Sequence, residues 1–214
     1  MQAYSFNRLR AFQTLLKKEV IRFQKVAFHT IAAPVLSSLL YLVVFGAAFD
    51  NQIQVIPAVS YSQFLVPGLV MMTILQNAFA NSSSSFIQSK ISGTLAFILM
   101  PPISDTTIAA AYILSSALRG LLVGFCVWLV TALWVNPMVC HLGWIIAFAA
   151  TGAALMGALG LIAAIWADRY EQMGVIQTFI VMPLTFLSGI FYTADALPKT
   201  WQMITRINPF YYLT

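Results

Sequence analysis

Five apolar runs, each about 20 residues or longer, dominate this 214-residue chain. They cover residues 27–49, 61–80, 106–134, 143–167 and 173–192. A helix needs about 20 apolar residues to cross the roughly 30 Å hydrocarbon core of a bilayer, and each run has that length. Only 8% of the residues are charged, against roughly 25% in an ordinary soluble domain. The sequence therefore predicts an all-α integral membrane protein with five spans.

The basic residues gather at one end of these predicted spans. With a cytoplasmic N-terminus, only Lys199 and Arg206 fall outside. The basic residues near span ends on the other side are Arg8, Arg10, Lys17, Lys18, Arg22, Lys25, Lys90 and Arg169. Loops rich in Lys and Arg stay in the cytoplasm, so this distribution predicts a multi-pass protein with its N-terminus inside. The net charge of +5 then reports orientation in the membrane, and no nucleic acid partner is expected.

Residues 1–26 are predicted to form an amphipathic helix before the first span. Apolar residues recur at helical spacing from Leu9 to Phe23, and Lys18, Arg22 and Lys25 lie about opposite. Such a helix lies in the cytoplasmic membrane interface with its cations toward lipid phosphates.

A polar stretch, "SSSSFIQSKISGTLAFILMPPIS", separates the second and third spans. Ile87, Ile91, Leu95 and Ile98 share one helical face within it, and the prolines at 101 and 102 end the pattern. We expect a short helix over residues 85–99 that lies along the membrane and presents a polar side to the cytosol. A simple connector is the alternative, although a return to the membrane needs only a few residues.

Three amides lie in or at the end of the second span: Gln76, Asn77 and Asn81. Amides are costly in lipid unless they face protein or water, so they indicate either a helix interface or a transport pathway.

Arg119 is the one ionisable residue well inside a predicted span, and its position in the long third run places it in the inner leaflet. There it could snorkel, or pair with Asp168 or Glu171 at the inner ends of the next two spans. A structural role is favoured over substrate binding.

The sequence contains no pattern that predicts catalysis. It has two distant histidines, no cluster with metal-ligand spacing and no GxxxxGK[ST] phosphate loop. No catalytic residue, cofactor or metal is expected, and any energy for transport has to come from another subunit. Small residues in the fourth span, Gly152, Ala153, Gly157 and Gly160, predict close helix packing there.

Four local patterns carry a resemblance to a known family. They are "SYSQFLVPGLVMMTILQNAFANSSSSF" from Ser60, "LMPPIS" from Leu99, "LRGLLVG" from Leu118 and "PLTFLSGIFYTADALPKTWQMITRINPFYYLT" from Pro183. The resemblance that they carry covers nearly all of the chain, and the last pattern is the most specific. The chain resembles the permease subunit of ABC-2 type transporters, in the small bacterial multidrug or polysaccharide exporter branch.

The resemblance implies a type V-like permease fold in the bacterial inner membrane, with an interface helix, six spans, a cytoplasmic coupling helix and an outer re-entrant segment. Residues 193–214 would form that re-entrant segment, and the chain would end before the sixth span. Two permease copies would pair, in contact with membrane lipids, and each would bind a separate cytoplasmic ABC ATPase. By this analogy residues 85–99 are the coupling helix, and the residues facing the ATPase are Ser89, Lys90, Ile91, Ser92 and Thr94. Relatives often have an acidic pair where this chain has Gly93 and Thr94.

The leading interpretation is therefore the permease of an ATP-driven exporter. Drug, lipid-like and polysaccharide substrates all stay open. A non-transporting membrane scaffold or assembly factor is the alternative from another class, and a gene for an ATPase beside this one would discriminate between them.

Overall fold

A computed structural model describes residues 8–50, 59–135, 141–192 and 197–213, almost all of them helical. The long helices are α1 (Arg8–Lys25), α2 (Ala27–Phe49), α3 (Tyr61–Ile91), α5 (Asp105–Ala132) and α6 (Leu142–Trp166). The shorter elements are α4 (Leu95–Leu99), α7 (Tyr170–Ile176), a π-helical turn (Gln177–Val181), α8 (Met182–Phe186), α9 (Lys199–Ile207) and a 3-10 turn (Pro209–Tyr212).

Within these described ranges, four helices are long and apolar enough to cross a membrane: α2, α3, α5 and α6. They confirm an all-α membrane protein and match the first four predicted spans. The fifth predicted span, 173–192, is not a single helix, because a π-helical turn interrupts it and the chain turns at Gly189, whose φ is +83°. Pro183 lies between these features and has no N–H to donate to the preceding turn.

Helix α3 lies at the centre of the bundle and packs against both α5 and α6. Its residues Leu75 and Phe79 share a buried cluster with Met156 of α6 and Phe210 of the 3-10 turn. The helices approach closely where α6 has glycine: a Cβ on Gly160 would lie 2.5 Å from the Phe79 carbonyl oxygen. The packing role predicted for the small residues of the fourth span is confirmed, since all four are buried.

Helix α2 is peripheral by comparison. It contacts the bundle through Ser38, Leu42 and Gly46, which recur every four residues along one face. Leu36, Leu40 and much of the remaining surface are exposed. In a bilayer these apolar side chains would face lipid.

The two ends of the bundle differ in charge. One end, called the basic end here, contains α1, the connection from α3 to α5 and the connection from α6 to α7. The opposite end contains the carboxylate of Asp50, which accepts hydrogen bonds from the backbone N–H and the hydroxyl of Ser62.

The helix predicted over residues 85–99 is divided in the structure. Helix α3 continues to Ile91, a turn follows, and α4 begins at Leu95. The division occurs because Ile87 stays buried in the bundle and keeps the first half on α3, while Gly93 adopts a left-handed φ of +73° that ends the helix.

Two predicted segments are described only in part. The predicted re-entrant segment 193–214 contains α9 and the 3-10 turn, and its residues 193–196 and 214 lie outside the described residues. Residues 1–7 of the predicted interface helix lie outside them too.

Candidate functional site at the basic end

An exposed apolar segment joins α3 to α5 at the basic end. This segment, residues 91–100, is called the docking segment below. Phe97 is 72% exposed and Met100 is 75% exposed, and Ile91 and Leu99 are more than half exposed. It lies beyond the last buried turn of α3, so these side chains extend an apolar surface away from the bundle.

The residues predicted to face an ATPase fall into two groups. Ile91, Ser92 and Thr94 are exposed on the docking segment, and the hydroxyls of Ser92 and Thr94 are 2.9 Å apart. Ser89 is buried, and its hydroxyl donates to the Ser85 carbonyl of its own helix at 3.1 Å. The structure therefore brings three of the predicted residues together on a surface and turns Ser89 into the bundle.

Lys90 points toward the end of α6. Its ammonium donates to the carbonyl oxygens of Ile165 at 3.2 Å and Ala167 at 2.8 Å, and to the Asp168 carboxylate at 2.7 Å. The last carbonyls of a helix have no partner within it and carry partial negative charge, so a lysine is well suited to bind them. Lys90 thus fastens the end of α3 to the end of α6.

The same contact changes the acidity of Asp168. The hydrogen bond from Lys90 lowers the pKa of this carboxyl below its ordinary value, and the positive charges of Lys90 and Arg169 add to the effect. The Asp168 carboxylate is exposed, so water weakens its ion pair with Lys90. The main role of Asp168 is therefore to orient the Lys90 side chain.

A buried carboxylate joins α1 to α3. Glu19 is only 1% exposed, and its Oε2 accepts a hydrogen bond from the Ser85 hydroxyl at 2.6 Å. Arg22 Nε donates to the same oxygen at 3.3 Å, and Lys18 Nζ lies 3.0 Å from Oε1. A buried charge needs such partners, because removal from water costs several kcal/mol.

Two arginines meet on the side chain of Asn81. Arg22 Nη2 donates to its Oδ1 at 2.9 Å, and Arg119 Nη1 donates to the same oxygen at 3.0 Å. The amide nitrogen of Asn81 donates to the hydroxyls of Ser115 and Ser116 at 3.4 and 3.2 Å. Asn81 therefore connects α1, α3 and α5. Glu19, Arg22, Asn81, Ser85 and Arg119 are called the polar cluster below.

The polar cluster corrects two predictions. The sequence left Arg119 either to snorkel or to pair with Asp168 or Glu171, and it binds Asn81 instead, while Asp168 accepts from Lys90. Arg22 was expected to face lipid phosphates, and it turns inward to Glu19 and Asn81.

The three amides of the second predicted span serve different contacts. Asn81 is only 1% exposed and bonded on both sides, so it lies at a helix interface within the chain and does not line a surface. Gln76 Nε2 lies 3.4 Å from the Thr185 hydroxyl of α8, and Asn77 Nδ2 donates to its own helix at the Thr73 carbonyl. Gln76 and Asn77 stay partly exposed.

Sequence reasoning missed Glu19. It lies four residues after Leu15 and four before Phe23, the two other buried residues of α1. A lone acid at that spacing in a basic helix is the pattern that could have identified it.

The polar residues of the basic end join helices through hydrogen bonds and ion pairs. In the part of the chain that the structure describes, no group of His, Cys, Asp and Glu is placed to hold a metal ion. Its features are hydrogen-bonded helix joints beside an exposed apolar surface.

Comparison with known proteins identifies the family of the chain. The sequence profile described as ABC-2 type transporter matches residues 10–214. The "Inner membrane transport permease YadH" of Escherichia coli (strain K12) is 33% identical over 204 residues, which cover 95% of this chain and 79% of that protein. "Nodulation protein J" of Rhizobium meliloti (strain 1021) is 27% identical over 195 residues, covering 90% of this chain and 74% of that protein. No solved structure matches this chain significantly. The matched profile covers nearly the whole chain, which therefore belongs to the ABC-2 type transporter family of membrane permeases.

Proposed function

We propose that this chain is the membrane-spanning subunit of an ATP-driven ABC-2 exporter. Two copies form the pathway for a drug, lipid or polysaccharide-like substrate, and a separate cytoplasmic ABC ATPase supplies the energy. The protein lies in the bacterial inner membrane with its basic end in the cytoplasm. The clustering of lysine and arginine at that end supports this orientation, since such clusters stay on the cytoplasmic side.

The observation that carries the proposal is the exposed apolar surface of the docking segment. Exposed apolar patches mark interaction sites, and this one lies at the end of α3 and on the connection that leads to α5. Ile91 and Phe97 are its proposed contacts with the ATPase, and Ser92 and Thr94 form a polar rim.

Lys90 and Ser89 do not contact the ATPase directly in this proposal. Lys90 fastens α3 to the end of α6, so that the docking segment has a fixed base. Movement of the segment would then reach α5 and α6, the two helices against which α3 packs most closely.

The residues proposed to line the pathway are chosen from their exposure alone. Gln76 and Asn77 lie on partly exposed positions of α3, which supports a place at the pathway or at the contact with the second copy. Asn81 and Arg119 are occupied within the polar cluster and are left out of the pathway.

The test is co-purification of the chain in detergent with the ATPase encoded nearest to its gene. Ile91→Asp and Phe97→Asp each place a charge in the docking surface, and we expect each to weaken ATPase binding about tenfold or more, as for a buried contact residue. Thr106→Asp is the matched control. It adds the same charge at an exposed position in the first turn of α5, where a helix N-terminus favours a carboxylate.

Two outcomes would count against the proposal. If the wild-type chain retains no ATPase, the exporter function loses its support and the scaffold alternative takes its place. If Thr106→Asp weakens binding as much as Phe97→Asp, the docking segment is not the contact.

A further inference from the structure

Asn81 accepts hydrogen bonds from two cationic side chains on one oxygen. Arg22 reaches it from α1 and Arg119 from α5, at 2.9 and 3.0 Å. Both guanidinium groups donate to this neutral amide oxygen, and Arg22 also donates to the Asn81 backbone carbonyl at 3.1 Å and to Glu19. A carboxylate in place of the amide would add the attraction of an opposite charge, so the amide holds these arginines less tightly.

The charges of the polar cluster do not balance. Glu19 supplies its carboxylate, and that group is already bonded to Ser85 and Arg22. Arg119 has no carboxylate partner among the contacts of the described residues, and its Nε is buried without a hydrogen-bond partner. The face of the Phe23 ring, 5.5 Å away, gives weaker compensation.

The cluster is mechanically connected to the docking segment. Asn81 and Ser85 are one helical turn apart on α3, and both bond to α1. Ile91 follows ten residues after Asn81 on the same uninterrupted helix, which corresponds to about 15 Å at 1.5 Å per residue. Any tilt or shift of the docking segment therefore loads the joint between α3 and α1.

We infer that Asn81 is a positioning residue that joins α1 to α3 weakly enough for α1, which packs mainly on α5, to lift from the bundle during transport. The neutral amide limits the strength of the joint that Glu19, Ser85 and the Asn81 backbone carbonyl also hold. A carboxylate at this position would bind α1 more tightly to α3 and α5, and an apolar side chain would weaken the joint. The transport part of this inference rests on the proposed function, whereas the strength of the joint does not.

The joint is measured first without any ATPase. Cys126 and Cys140 are replaced by alanine, and Leu15→Cys places a thiol on the buried face of α1, where a water-soluble maleimide reacts only when α1 lifts away. We expect Asn81→Asp to slow labelling about fivefold, the factor that corresponds to roughly 1 kcal/mol. Asn81→Leu, which has a similar shape and no polar atoms, should accelerate it.

Gln88→Glu is the matched control. It makes the same change from amide to carboxylate on the same helix, at an exposed position, and labelling should be unchanged. Unchanged or faster labelling in Asn81→Asp would overturn the inference about the joint.

The second measurement separates positioning from plain stabilisation. In vesicles with the ATPase bound, Asn81→Asp should lower permease-stimulated ATP hydrolysis about fivefold, in proportion to the tighter joint. Slower labelling with unchanged hydrolysis would show that α1 need not separate, and the transport role would be refuted. Absence of ATPase binding in the wild type would refute the proposed function and with it the transport role, while the labelling result still decides the strength of the joint.

Discussion

Glu19→Gln tests the assembly of α1 onto the bundle. The substitution preserves the shape of the side chain and an oxygen that can accept from Ser85, and it removes the negative charge that faces Arg22. Removing one partner of a buried ion pair costs about 3 to 5 kcal/mol. The lower end applies here, because one acceptor remains and the Lys18 contact is partly exposed to water.

We therefore expect a loss of about 3 kcal/mol in the free energy of unfolding, on the order of a 100-fold change in the equilibrium constant. The assay is reversible unfolding by SDS in mixed micelles, followed by the fluorescence of the five tryptophans. Glu171→Gln is the matched control: it makes the same change at an exposed position of the basic end and should stay within about 0.5 kcal/mol of the wild type.

A double-mutant cycle with Ser85→Ala makes the assignment specific. Because Glu19→Gln keeps a neutral acceptor for Ser85, the cycle reports the difference between a charged and a neutral acceptor, and we expect a coupling of about 1 kcal/mol between the two positions. If Glu19→Gln has the stability of its Glu171→Gln control, the carboxylate is not held in a buried pair and the docking of α1 described above is incorrect.

Two further substitutions test the packing and the electrostatics of α6. Gly160→Ala should destabilise the bundle because its Cβ would lie 2.5 Å from the Phe79 carbonyl oxygen. Gly174→Ala has open space around it inside α7 and should be neutral or stabilising by up to about 1 kcal/mol in the same unfolding assay. Lys90→Met should return the pKa of Asp168 upward toward its ordinary value, as read from NMR titration of labelled aspartate carboxyls. The contribution of this pair to stability is present above the ordinary carboxyl pKa and is lost as the pH falls through the lowered one. Acid in that range should therefore remove this contribution from the wild type, whereas Lys90→Met has none to lose. An unchanged titration of Asp168 in Lys90→Met would contradict the contact.

Apolar run length was enough to predict four of the long helices. The predicted starts and ends of α2 agree with the structure, and the predicted second span begins with α3 at Tyr61. The prediction ended that span too early, at residue 80, because the serines that follow look like a loop in a hydropathy pattern. In the structure three of those four serines are buried, and Ser82 lies against Gly160 of α6. Their hydroxyls bond to carbonyls of the same helix or, for Ser85, to Glu19 of α1.

The site was less predictable because its contacts depend on which helices meet. The sequence identified Asn81, Lys90 and Arg119 as unusual, and each makes a hydrogen bond that joins two helices in the structure. Their partners could not be assigned from spacing alone. Glu19 escaped notice because a helix near the membrane surface is expected to keep its charges in water, and only the packing of α1 against α5 buries this one.

Helix α3 is longer than the hydrocarbon core of a bilayer. Its 31 residues extend about 46 Å, against roughly 30 Å of hydrocarbon. The surplus corresponds to about three helical turns, so α3 is about as long as a bilayer with its headgroup regions, and its last turns reach the level of the lipid headgroups at the basic end. A change in membrane thickness should then be accommodated mainly by the tilt of the loosely packed, lipid-facing α2.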